Sequence, residues 1–152
     1  MKMKKILVLM IVFFSGYSEA LESLWMDDVE NLSVDYRIIK ECGGWKVGGE
    51  VGYYRLVVVD VYGGAGSEIY AQWITNPTAE NKSKLVKTLA FSELNNDHSQ
   101  YFIQSADCER RNGSTYINLK ALYEHDEKNK LHDISIKLID VGRYELRERG
   151  WR

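Results

Sequence analysis

Proline is almost missing from this chain. Pro77 is the single example in 152 residues, which excludes a proline-rich linker or polyproline segment. Cysteine is scarce too: Cys42 and Cys108 are too few for a disulfide-dense scaffold. They stand in no Cys-x-x-Cys spacing and have no histidine within four residues, which argues against a zinc site. Basic charge is in deficit, with 20 Lys and Arg against 22 Asp and Glu, so no basic stripe is present to grip nucleic acid or an anionic membrane. Neither Gly-x-Ser-x-Gly nor Gly-x-x-x-x-Gly-Lys-Ser/Thr occurs, so a nucleophile elbow and a phosphate loop are both without support. With no catalytic motif, the chain reads as a non-enzyme for which no cofactor and no metal are expected.

What is present begins with an export signal. Lys2, Lys4 and Lys5 precede the nine-residue apolar run Ile6–Phe14, and Ser18 and Ala20 supply small residues at −3 and −1 of a cleavage site. The run falls well short of the roughly 20 residues a spanning helix needs. Residues 1–20 are therefore expected to be a cleaved secretory signal and 21–152 a single β-domain, periplasmic or secreted, with no stable membrane anchor after cleavage. Without Lys2, Lys4, Lys5 and Glu19 the basic and acidic side chains number 17 and 21, a formal net charge of −4. An exported chain with two cysteines most simply joins them, so a Cys42–Cys108 disulfide is expected.

Past the signal, Leu21–Asn31 places Leu21, Leu24, Trp25 and Val29 at helical spacing and predicts one short helix. From Val34 the period changes to two. Strands are expected over Val34–Glu41, Val51–Tyr62, Glu68–Thr75, Lys84–Phe91, Gln100–Gln104, Thr115–Tyr123 and His132–Leu138, and in a last one carrying Tyr144 and Leu146. Lys84–Phe91 also fits a helix, and the strand is preferred because its neighbours are strands. Cys42-Gly43-Gly44 is read as ending the first strand, with a glycine-rich loop to Gly52. Ala106–Ser114 is read as a loop holding Cys108 and an Asn112-Gly113 turn. About eight strands make an all-β antiparallel sandwich the expected architecture. An eight-stranded up-and-down barrel is the alternative that the even hairpin spacing suggests.

The stretch Glu41–Thr75 organises the rest: a disulfide anchor, a glycine-rich loop, then a long hairpin whose centre, Leu56-Val57-Val58-Val59, is apolar on both faces. That run predicts a central strand covered on both sides. The candidate binding surface is Trp45, Lys46, Tyr53, Arg55 and Tyr70. Trp45 is either cover for the disulfide or a loop-tip anchor, with packing preferred. Arg55 lies on the same side of its strand as Tyr53, Val57 and Val59, opposite to Asp60, so Glu41 or Glu68 is its expected partner. His98, His125 and His132 are the histidines; the last two flank the charged hairpin Glu124–Asp133 in no zinc spacing, and no metal is assigned.

In size, export signal and disulfide the chain is similar to periplasmic lysozyme inhibitors. None of their loop motifs is matched residue by residue, Asn112-Gly113-Ser114-Thr115-Tyr116 being the nearest, and no family is assigned. The expected function is an exported protein-binding module, of inhibitor or immunity type, whose partner is another exported protein of basic charge. The alternative is a small-ligand or carbohydrate-binding domain with an aromatic platform drawn from Trp45, Tyr53, Tyr70 and Trp73.

Overall fold

The computed structural model describes residues 26–95 and 100–149. The expected signal, the start of the expected helix and His98 lie outside them. Two compact units divide the chain, 1–32 and 33–152. In the first, the helix is a single turn, α1 (Met26–Glu30). Asp28 and Glu30 crowd its short span, and no base stands in the last turn to offset the negative end of the helix.

The second unit contains eight strands: β1 (Tyr36–Val47), β2 (Glu50–Val61), β3 (Gly66–Thr75), β4 (Leu85–Ala90), β5 (Tyr101–Arg111), β6 (Ser114–Tyr123), β7 (Leu131–Asp140) and β8 (Arg143–Arg149). They form two four-stranded antiparallel meanders, ordered β1-β2-β3-β4 and β5-β6-β7-β8. No ladder joins the sheets among the described residues, so they do not close into a barrel. Connectivity is up-and-down, as the hairpin spacing suggested, and the packing is that of a sandwich. The change of sheet follows β4. There the Asn95 side-chain amide donates to Ile69 O (2.7 Å) and its oxygen accepts from Ile69 N (2.8 Å), occupying the β3 edge just past the end of β4.

Two expected loops are strands. β1 runs on through Cys42-Gly43-Gly44, because Gly43 at φ +82° takes up a register shift between Glu41 and Gly44 that lets pairing resume. The turn comes later, at Gly48-Gly49 (φ +58° and +87°), the two-residue geometry that suits a tight hairpin. Cys108 lies within β5, whose inward residues Ala106 and Cys108 are too small to advertise a strand. The Asn112-Gly113 turn is present, with φ +49° and +78°.

One core is shared by both sheets. Leu56, Val58, Ile69, Trp73 and Phe91 meet Ile103, Ile117, Leu119, Ile134 and Ile136. Each such side chain contributes roughly 2 kcal/mol by leaving water. Three ties flank this core. The Cys42–Cys108 disulfide joins β1 to β5 (Cα–Cα 5.2 Å), with Lys40 Nζ donating to Asp107 Oδ1 (2.7 Å) beside it. Ser67 Oγ accepts from Ile103 N (3.1 Å) next to the Arg37–Asp60 pair, and Arg37 lies over the Phe102 ring. Tyr144 on β8 stacks edge-on against Phe91 and donates its hydroxyl proton to Glu93.

Candidate functional site

An antiparallel sheet covered on one side is expected to alternate apolar inward and polar outward. The second sheet obeys over its middle, with Leu131 and Ile139 exposed at the two ends of β7. Its outer face carries Ser105, Asp107, Glu109 and Arg111 on β5, Asn118 and Lys120 on β6, and Asp133 and Ser135 on β7, around a groove of about 480 Å³. Asn118 Nδ2 donates to Glu109 Oε1 (2.7 Å) and Ser135 Oγ to Asn118 Oδ1 (2.9 Å), while Arg111 pairs with Glu109 and lies over the Tyr116 ring.

The first sheet does not obey. Register sets Tyr36 opposite Val59, then Glu68, in one outward row, and Ile39, Val57, Tyr70 and Ala90 in the next. Tyr36 and Ile39 keep 44% and 47% of their surface exposed on this outer face. Val57 is down to 8%, between Ile39 and Tyr70 in register. β2 is thus a central strand as expected, and its outward valines are sheltered by sheet neighbours rather than by the opposite sheet.

The third row is polar: Glu41, Arg55, Gln72 and Thr88. Arg55 Nε donates to Gln72 Oε1 (2.7 Å), and Gln72 Nε2 to Thr88 Oγ1 (3.2 Å). The partner of Arg55 is therefore Gln72, not Glu41 or Glu68. Glu68 instead accepts the Tyr70 hydroxyl, and Asp60 pairs with Arg37 (3.3 Å). That hydrogen bond to Glu68, more than burial, pushes the Tyr70 phenol up to about 12. Tyr70 consequently presents its ring with the hydroxyl proton already committed.

Of the five residues singled out from sequence, Tyr53, Arg55 and Tyr70 share this outer face, all half-buried. Lys46 is exposed near the β1–β2 hairpin, opposite Val51. Trp45 is buried at 6%, with its indole N–H donating to Tyr53 O (3.0 Å), which settles its role as packing and removes it from the exposed set. Trp73 is fully buried in the core. Sequence reasoning missed Ile39, Tyr36 and Gln72. The signal for Ile39 was its break of the alternation after Ile38, a surplus apolar residue at a position that faces outward.

The Glu124–Asp133 hairpin does bring its histidines together. His125 and His132 both stand edge-on to the Tyr123 ring, with centroids 5.3 and 6.1 Å away. No group of three or more His, Cys, Asp or Glu arranged to hold a metal is found among the described residues. None of their helices is long and apolar enough to cross a membrane. The chain matches no protein-family model, no curated protein and no solved structure.

Proposed function

We propose that this chain is an exported, non-catalytic protein-binding module, of inhibitor or immunity type, and that it docks through the outer face of its first sheet. The observation that carries the reading is the apolar and aromatic strip Tyr36–Ile39–Val57–Tyr70, on a face where water would favour polar side chains. Tyrosine rings and a half-buried arginine are the side chains that dominate protein interfaces. Export is supported by the amino-terminal charge and apolar pattern and by the disulfide, which persists in oxidising compartments. The acidic net charge favours encounter with a basic partner.

The test is capture from an exported fraction, comparing the protein with Ile39→Glu. Ile39 is half exposed, so the substitution leaves the core intact. A stoichiometric partner retained by the unaltered protein and lost by the variant is expected. Equal retention by both would sink the assignment of this face.

One observation favours a second reading, a carbohydrate-binding domain: the polar groove of the second sheet, with its Ser135–Asn118–Glu109 relay. The tryptophan platform is lost to it, because Trp45 and Trp73 are buried. Glycan-array binding abolished by Asn118→Ala and unaffected by Ile39→Glu would favour this reading over the first.

A further inference from the structure

We infer that the partner of the first-sheet face presents a carboxylate, from an Asp, a Glu or a chain end, to Arg55. This rests on the protein-binding reading above and adds the chemistry of its central contact. Arg55 is half-buried in mid-strand, with Val57 and Tyr53 on either side along β2. The bonds Arg55 Nε–Gln72 and Gln72–Thr88 fix one edge of the guanidinium across three strands. Its terminal amino groups have no hydrogen-bond or ion-pair partner among the described residues. The nearby acids do not serve them. Glu41 stands opposite in register without closing an ion pair, and Glu68 holds the Tyr70 hydroxyl.

A partner that covers Ile39 and Tyr70 strips water from Arg55. Burying a guanidinium without an acceptor costs more than the surrounding apolar contacts return, so the partner has to bring the acceptor with it. A carboxylate matches two parallel N–H donors, and the fixed fork loses little freedom on binding. Glu41 faces Arg55 across the β1–β2 ladder and Glu68 stands two rows further along the same face, so the complementary surface is an acid with bases on that side of it. That pattern agrees with long-range attraction of a basic partner by an acidic chain.

The experiment titrates isotope-labelled protein with 4-phenylbutyrate, its neutral amide and inorganic phosphate, reading the Arg55 Nε–H and the Ile39 methyl signals by NMR. The acid is expected to bind this face about tenfold more tightly than the amide, with the preference lost in Arg55→Met. Equal binding of acid and amide at Ile39 overturns the carboxylate contact and leaves the docking face standing. Signals that stay still with every probe, or phosphate binding more tightly than the carboxylate, also overturn it. Sedimentation of the protein alone adds one more outcome: a dimer dispersed by Arg55→Met makes the occupant a second copy and overturns the foreign partner.

Discussion

Gly52 stands near the hairpin end of β2, opposite Trp45 on one side and Thr75 on the other, where a methyl group has no room. A Cβ there would lie 2.0 Å from Ile74 O and 2.7 Å from the Trp45 ring. Neither main chain nor a buried indole gives way cheaply, so Gly52→Ala is expected to destabilise by about 3 kcal/mol in urea unfolding. Gly48→Ala is the control. Its site is open but at φ +58°, and the cost of left-handed backbone alone is about 1 kcal/mol. Tyr70 offers a second check at this scale. Its phenol is pushed up to about 12 by the bond to Glu68, so ultraviolet titration should find it still protonated where ordinary tyrosines have ionised. The raised value means that this bond stabilises the fold fully below pH ~10 and is lost as pH rises towards about 12. Glu68→Gln should bring the phenol back down.

Between elements, the β1–β5 staple and the tie from β8 to the segment after β4 make different demands. The disulfide closes a loop of sequence separation 66. Replacing both cysteines with alanine is expected to cost about 4 kcal/mol in the chain-entropy model, read as a fall in the urea midpoint. On the other flank, the Tyr144 hydroxyl holds the Glu93 carboxyl below its usual range, while burial and then Glu93 itself raise the Tyr144 phenol. A depressed carboxyl contributes stability above the ordinary carboxylate range and loses it as pH falls through the folded value. Tyr144→Phe should therefore be more destabilising at neutral pH than in acid below the folded value of Glu93, where the unaltered protein has itself lost the bond. Strand existence was legible from period-two spacing in β3, β6 and β7 and from a continuous apolar run in β2. The ends of β1 and β5 were not, because Gly43 hides a bulge inside a run that reads as a turn, and Ala106 and Cys108 give β5 a weak apolar face.

For residues 33–152, the common core predicts one cooperative transition rather than two sheets melting separately. Ile136 is fully buried in the second sheet, whereas Trp45 and Trp73 are buried in the first. Ile136→Ala should cost about 3 kcal/mol and move the far-ultraviolet circular dichroism and tryptophan fluorescence midpoints together. Fluorescence that ignores the substitution would show the sheets to be independent. The two outer faces divide the surface chemistry: apolar and aromatic around Arg55 on one, hydrogen-bonded and charged on the other.

Local spacing by itself determined the all-β class, the pairing of the two cysteines, the Asn112-Gly113 turn and the presence of an apolar surplus in the Glu41–Thr75 stretch. Those depend on neighbours a few residues apart, or on counting. Sandwich rather than barrel was decided by tertiary structure, since closure depends on which strand edges meet and Asn95 occupies the β3 edge past the end of β4. So was the gathering of Ile39, Arg55, Tyr70 and Gln72 on one face, because cross-strand register joins residues far apart in sequence. Trp45 marks the same boundary. Its glycine-flanked position was plain in the sequence, but only the approach of Gly52 and Tyr53 from the paired strand turned the indole inward, away from the face that carries Arg55.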